Sequence, residues 1–203
     1  MIFKIKVVAF FLTFLIKFPI CSFASINGDT INVETLKEKS TSFLKWYLKE
    51  KENVNFNYRI VDGADGDSTH PYRINYKNAK RFINFLGKSK MLSSKYLDSM
   101  YAYFQRCDAN FVKYKQYYYV AFGFDMDLVM KRQDYYDIIT SIDKGKVTKS
   151  LRKENSIFIE VVYGNITYQP FTFEFSQYNG VWLIDKINGD FDEEIDHVLP
   201  FNK

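Results

Sequence analysis

Cysteine and histidine are scarce in this 203-residue chain, with two of each, and no apolar run is long enough to span a bilayer as a stable helix. Each scarcity excludes something. Cys21 falls in an N-terminal segment with the marks of a cleavable leader, which leaves Cys107, and one cysteine cannot close an internal disulfide. The fold must then rest on its core, which a chain of this size can build. Cys107 closes an apolar helical repeat between Arg106 and Asp108 and reads as a small core residue. A nucleophilic cysteine needs an activating histidine, but His70 precedes Pro71 in a loop-like stretch and His197 lies near the C-terminus. His-Glu-x-x-His, Gly-x-Ser-x-Gly and a phosphate-cradling glycine loop are all missing.

An excess of one charge is missing too. The formal charge is +4, but Lys4, Lys6 and Lys17 lie in the first 24 residues, where there is no acid. With those three set aside, 25 basic residues face 24 acidic ones. Nucleic acid needs a concentrated basic face, so it is not an expected partner. An anionic membrane surface is not expected as the main partner either.

The N-terminus itself is informative. Lys4 and Lys6 give a positive start, and Val7–Ile16 has the length of a signal-peptide apolar region. Ser22-Phe23-Ala24 places small residues where a signal peptidase needs them, so residues 1–24 read as a signal peptide cut after Ala24. Lys17 breaks the apolar stretch and leaves open a retained anchor. Cys21 raises a lipid anchor, although Pro19-Ile20 replace the small residues such a site prefers. The expected location is periplasmic or extracellular, with no stable membrane span after cleavage.

What is abundant is aromatic: 20 Phe and 16 Tyr. Rings bury large areas, enough for a core and a surplus for a surface groove. An AT-rich coding sequence would give the same bias.

Residues 25–203 read as a single α+β domain. Leu36, Phe43, Leu44, Tyr47 and Leu48 recur at helical spacing over Val33–Lys51, with Asn32 as N-cap. Ala79, Phe82, Ile83 and Leu86 mark a second helix over Tyr76–Leu86, with Gly87 as its C-cap. Leu97, Met100, Tyr101 and Phe104 mark a third, starting after Ser93 or Ser94, that continues through the ring-dense stretch Phe111–Phe124 to a loop near Gly123. Val61–Pro71 reads as an exposed loop. From Lys146 the period becomes two. Strands are expected over Ser156–Tyr163, Thr167–Ser176 and Val181–Ile187, with a weaker one over Val147–Arg152. Asn179-Gly180 is a strong hairpin signal, Gly164-Asn165 marks another turn, and Pro170 suggests a bulge or an edge. Helices first and an antiparallel meander after predict N-terminal helices packed on one face of a curved antiparallel sheet.

Trp46-Tyr47-Leu48, Asp125-Met126-Asp127, Gln133-Asp134 and the closing run Trp182-Leu183-Ile184-Asp185-Lys186-Ile187 together resemble a family of small exported bacterial proteins. That family is similar to the nuclear-transport-factor-two-like group. The resemblance implies a strongly bent, cone-forming antiparallel sheet wrapped by helices and a concave pocket. It implies no activity, because such a fold hosts enzymes, binding proteins and structural dimers alike.

Asp125, Asp127, Gln133 and Asp134 are the candidate ligand or partner residues. Close carboxylates can bind a hard cation or work as an acid–base pair. Asp125 or Asp127 can equally cap a helix holding Leu128, Val129 and Met130. Asp62, Asp65 and Asp67 lack the alternating ligands and terminal Glu of a calcium loop, so no metal and no cofactor are expected there. Asn165-Ile166-Thr167 matches a glycosylation sequon inside a turn and carries no meaning in a bacterial protein. The function expected is a non-catalytic exported binding or accessory protein that takes a protein partner or a small apolar ligand. An immunity protein occluding a periplasm-acting toxin and a small-molecule enzyme using the acidic cluster are the alternatives.

Overall fold

Asn32 starts the first helix as its sequence requires: its side chain accepts from the Glu34 amide at 3.1 Å, and the helix α1 runs Val33–Asn53. The computed structural model describes residues 31–53, 58–63, 69–117, 120–133, 136–164 and 170–191. Residues 1–24, Asp65, Asp67, Asp134 and the sequon lie outside them.

Two short strands follow α1, β1 (Val61–Asp62) and β2 (Arg73–Ile74), paired antiparallel. The stretch expected to be loop from Val61 therefore begins with a ladder. Helix α2 (Tyr76–Gly87) is capped by Asn75, which accepts from the Asn78 amide, and buries Ala79, Phe82, Phe85 and Leu86. Gly87 does not take the left-handed C-cap role: it is the last helical residue, Lys88 stays right-handed, and the positive φ falls at Lys90.

Helix α3 (Ser94–Lys113) begins at the N-cap Ser93, whose hydroxyl accepts from the Tyr96 amide. It stops two residues past Phe111, well short of Gly123. Lys115 turns left-handed, and the Gln116 carbonyl accepts from the Tyr72 amide instead of continuing a helix. Helix α4 (Tyr136–Ser141) and a single tight turn (Ile142–Lys144) lead into the sheet.

The sheet is antiparallel in the order β3 (Lys146–Arg152), β4 (Ser156–Val162), β5 (Phe171–Tyr178), β6 (Val181–Ile187). Period-two burial decides its faces. Ile157, Ile159 and Val161 of β4, Phe171, Phe173 and Phe175 of β5, and Ile184 and Ile187 of β6 are buried. The three β5 rings run in a row, with centroids 6.0 and 6.3 Å apart. Asn179 and Gly180 both have positive φ, the requirement of the tight β5–β6 hairpin. Pro170 precedes β5, where no ladder amide is needed.

Two bulges interrupt the ladders. Thr148 is an extra residue in β3, and Asp185 is an extra residue in β6. Helices α1 and α3 pack against the sheet, α1 on β3 and β4 and α3 on β6. The class is α+β, with helices N-terminal and strands C-terminal. No described helix is long and apolar enough to cross a membrane.

Candidate functional site

Asp127 is the most heavily bonded of the acidic residues picked out by the sequence. One carboxylate oxygen accepts from the amides of Val129 and Met130, at 2.9 and 2.7 Å. The other accepts from the Tyr47 hydroxyl at 2.9 Å and from Lys51 Nζ at 2.6 Å. Its side chain is only 3% exposed. Two amides, a phenol and an ammonium use the carboxylate's full acceptor capacity. The capping expectation holds in its chemistry, but the capped element is a hydrogen-bonded turn over residues 128–130, not a helix. The Lys131 amide closes that turn on the Asp127 carbonyl, at 2.7 Å.

The turn is stapled on its far side as well. Asn188 donates its side-chain amide to the Met130 carbonyl and accepts from the Thr172 amide. Arg132 lies over the Phe171 ring at 4.3 Å, and burial lowers its pKa. The 127–132 segment thus joins the end of α1 to the end of the sheet.

Between this turn, α1, β1 and α2 lies a cleft of about 360 Å³. Tyr47 and Lys51 come from α1, at helical spacing four. Tyr58, Ile60 and Val61 come from the β1 side, and Phe82 from α2. Phe124, Met126 and Leu128 form the wall made by the turn, beside Asp127. Tyr58 and Phe82 meet edge to face at 5.9 Å. Among the described residues, the lining is rings and apolar chains, with the Lys51–Asp127 ion pair as its one charged feature. Gly123 places Phe124: its φ is +79°, and a Cβ there would sit 1.9 Å from the Tyr103 hydroxyl oxygen. That hydroxyl donates to the Gly123 carbonyl at 2.9 Å.

The other candidates do not converge on Asp127. Asp125 and Gln133 are exposed at the two ends of the segment. Asp62 is exposed and accepts from the Asn75 side chain, and His70 is exposed beside Thr69. Among the described residues, no group of three His, Cys, Asp or Glu is placed to hold a metal. Cys107 is buried, as a core residue should be.

Two buried carboxylates are not among the candidates picked out by the sequence. Asp108 on α3 takes a two-point grip from Arg73, at 2.8 and 2.9 Å, and accepts from the Ile74 amide. The Arg73 hydrogen bonds outweigh burial and hold its pKa below the usual value. Its signal was an acid on the apolar stripe of Met100, Phe104, Cys107 and Phe111. Asp185 accepts from Ser176 at 2.6 Å and Tyr178 at 2.9 Å, with Lys95 at 3.5 Å. Burial pushes its pKa up, but the hydrogen bonds of Ser176, Ser93 and Tyr178 and the charge of Lys95 reverse the sign and leave it lowered. Its signal was the break in alternation at Ile184-Asp185 that marks the bulge. Both groups tie elements together, and neither lines the cleft.

Large exposed apolar side chains gather where α3 ends. Val112, Tyr114, Val120 and Phe122 are all exposed, and the Gln116 side chain ties their loop together by bonding the Val120 carbonyl and the Phe122 amide. Comparison of the chain with protein-family models, curated proteins and solved structures finds no match.

Proposed function

We propose that the chain is an exported, non-catalytic binding protein whose ligand is a small, mostly apolar molecule with one polar end. The cleft between α1, β1, α2 and the 124–128 turn carries this reading. Its volume of about 360 Å³ suits a small ligand, and its walls are rings and aliphatic side chains. The Lys51–Asp127 pair supplies a polar end. Asp127 spends its acceptors on the turn and on α1, which argues against its use as an acid or base. Export rests on the positive start, the apolar run and the small residues before Ser25. The bent, cone-forming sheet implied by the resemblance is part of the proposal. The bulges at Thr148 and Asp185 support it, because a bulge adds bend and twist to a strand.

Filling the cleft tests the reading. Val61→Trp and Leu128→Trp should each weaken binding of anilinonaphthalene sulfonate at least about tenfold, a loss of ~1.4 kcal/mol, without lowering the melting temperature. Unchanged probe affinity in both variants would refute the site. For export, expression of the full chain in a bacterium should give a soluble product starting at Ser25; an uncut membrane-bound product would refute it. A protein partner is the second reading, favoured by the exposed Val112, Tyr114, Val120 and Phe122.

A further inference from the structure

The four-stranded sheet has two edges, and they differ. At β6, the residue before Ser93 bridges the strand: Leu92 pairs parallel with Ile184, the Ile184 amide bonds the Met91 carbonyl and the Ser93 amide bonds the Ile184 carbonyl. At β3, no second strand lies alongside among the described residues. Six of its seven residues are exposed, Val147 alone being half-buried. An edge like this presents a row of outward backbone donors and acceptors.

The charge on this edge has one sign. The strand carries three cations, Lys146, Lys149 and Arg152, and no acid; Asp143 and Glu154 lie beyond its two ends. None of the three makes an ion pair with a described residue; Arg152 donates to the Ile31 carbonyl. The bulge arranges them. Lys146 pairs with Val162 and Lys149 with Glu160, both on the face opposite buried Ile159 and Val161. Without the extra residue Thr148, side chains three positions apart would point to opposite faces. The bulge therefore puts Lys146, Lys149 and the exposed Leu151 on one face of the edge.

Like charges repel a second copy of the same edge and favour an occupant of opposite sign. We infer that β3 is a docking edge for an acidic, extended protein segment, which adds to the sheet as a fifth strand and sets its carboxylates against Lys146 and Lys149. The surface is separate from the cleft, so it stands or falls independently of the small-ligand reading.

The test uses the full chain and a short fluorescent peptide of alternating glutamate and valine. Three comparison probes go with it: the same peptide with lysine for glutamate, the same peptide N-methylated at alternate backbone nitrogens, and a single-stranded oligothymidine. The acidic peptide should bind, and the lysine peptide should not. Alternate N-methylation removes the ladder donors and should weaken binding at least about tenfold. The double variant Lys146→Glu/Lys149→Glu should lose at least about tenfold in affinity while keeping its circular dichroism spectrum and its binding of anilinonaphthalene sulfonate. Binding of the N-methylated peptide or of oligothymidine as tight as that of the acidic peptide would reduce the edge to a nonspecific anion patch and overturn the inference. So would failure of the acidic peptide to bind, or an unchanged affinity in the double variant.

Discussion

Replacing Asp127 with alanine tests how the 127–132 turn is held. The substitution removes the acceptor of the Val129 and Met130 amides, a capping interaction worth about 1 kcal/mol. It also removes the hydrogen bond from the Tyr47 hydroxyl, and a hydrogen bond to a charged group is worth about 1.5–3 kcal/mol. Lys51 loses this ion pair too, but its side chain is a quarter exposed and water can take over much of that interaction. The cap and the Tyr47 bond together come to roughly 2.5–4 kcal/mol, and Lys51 adds little. In a domain of this size, each kcal/mol moves the midpoint by about 2–4 °C, so the melting temperature should fall by about 5–16 °C. Asp127→Asn keeps one oxygen for the two amides and should cost less, about 1–3 kcal/mol. Thermal melts followed by near-ultraviolet circular dichroism measure both. If Asp127→Ala melts within about 1 °C of the parent protein, the turn is not held by this carboxylate and the reasoning fails.

Further outcomes follow from the same contacts. Asp108 and Asp185 have folded pKa values below their unfolded ones, so each adds stability above about pH 4 and loses it as pH falls through its lower folded value. Urea midpoints should therefore drop with acidification below about pH 4, and Asp185→Asn should flatten that drop; an equal slope in the variant would contradict the assignment. Gly123→Ala should destabilise by about 1–3 kcal/mol, since it forces a strained φ and collides with Tyr103, and it should weaken probe binding by shifting Phe124. Phe173→Ala, at the middle of the β5 ring row, should cost about 3–5 kcal/mol in chemical denaturation.

The elements easiest to read in the sequence were those whose rule is local. Val181–Ile187 is a strand at both expected ends because Asn179-Gly180 fixes the turn and alternation fixes the face. The starts of α1 and α3 follow from Asn32 and Ser93, whose short polar side chains satisfy nearby amides. The end of α3 could not be read. Rings occupy six of the thirteen positions from Val112 to Phe124 without a regular spacing, so no period distinguishes helix from loop, and a long-range bond between Tyr72 and Gln116 decides the matter. The two-residue strands β1 and β2 are too short to leave a pattern. Asp127 was visible as a candidate, but two of its partners, Tyr47 and Lys51, lie 80 and 76 residues earlier. The cleft is assembled from four separate segments, and spacing along the chain does not encode it.

A ligand held in the cleft beside the Lys51–Asp127 pair would perturb the residues that line it. The most direct measurement is a titration of isotope-labelled protein with anilinonaphthalene sulfonate, followed by amide and methyl resonance shifts. Saturable shifts should concentrate at Lys51, Val61, Met126 and Leu128. Shifts confined to Val112, Val120 and Phe122, or no saturable shift at all, would contradict binding there.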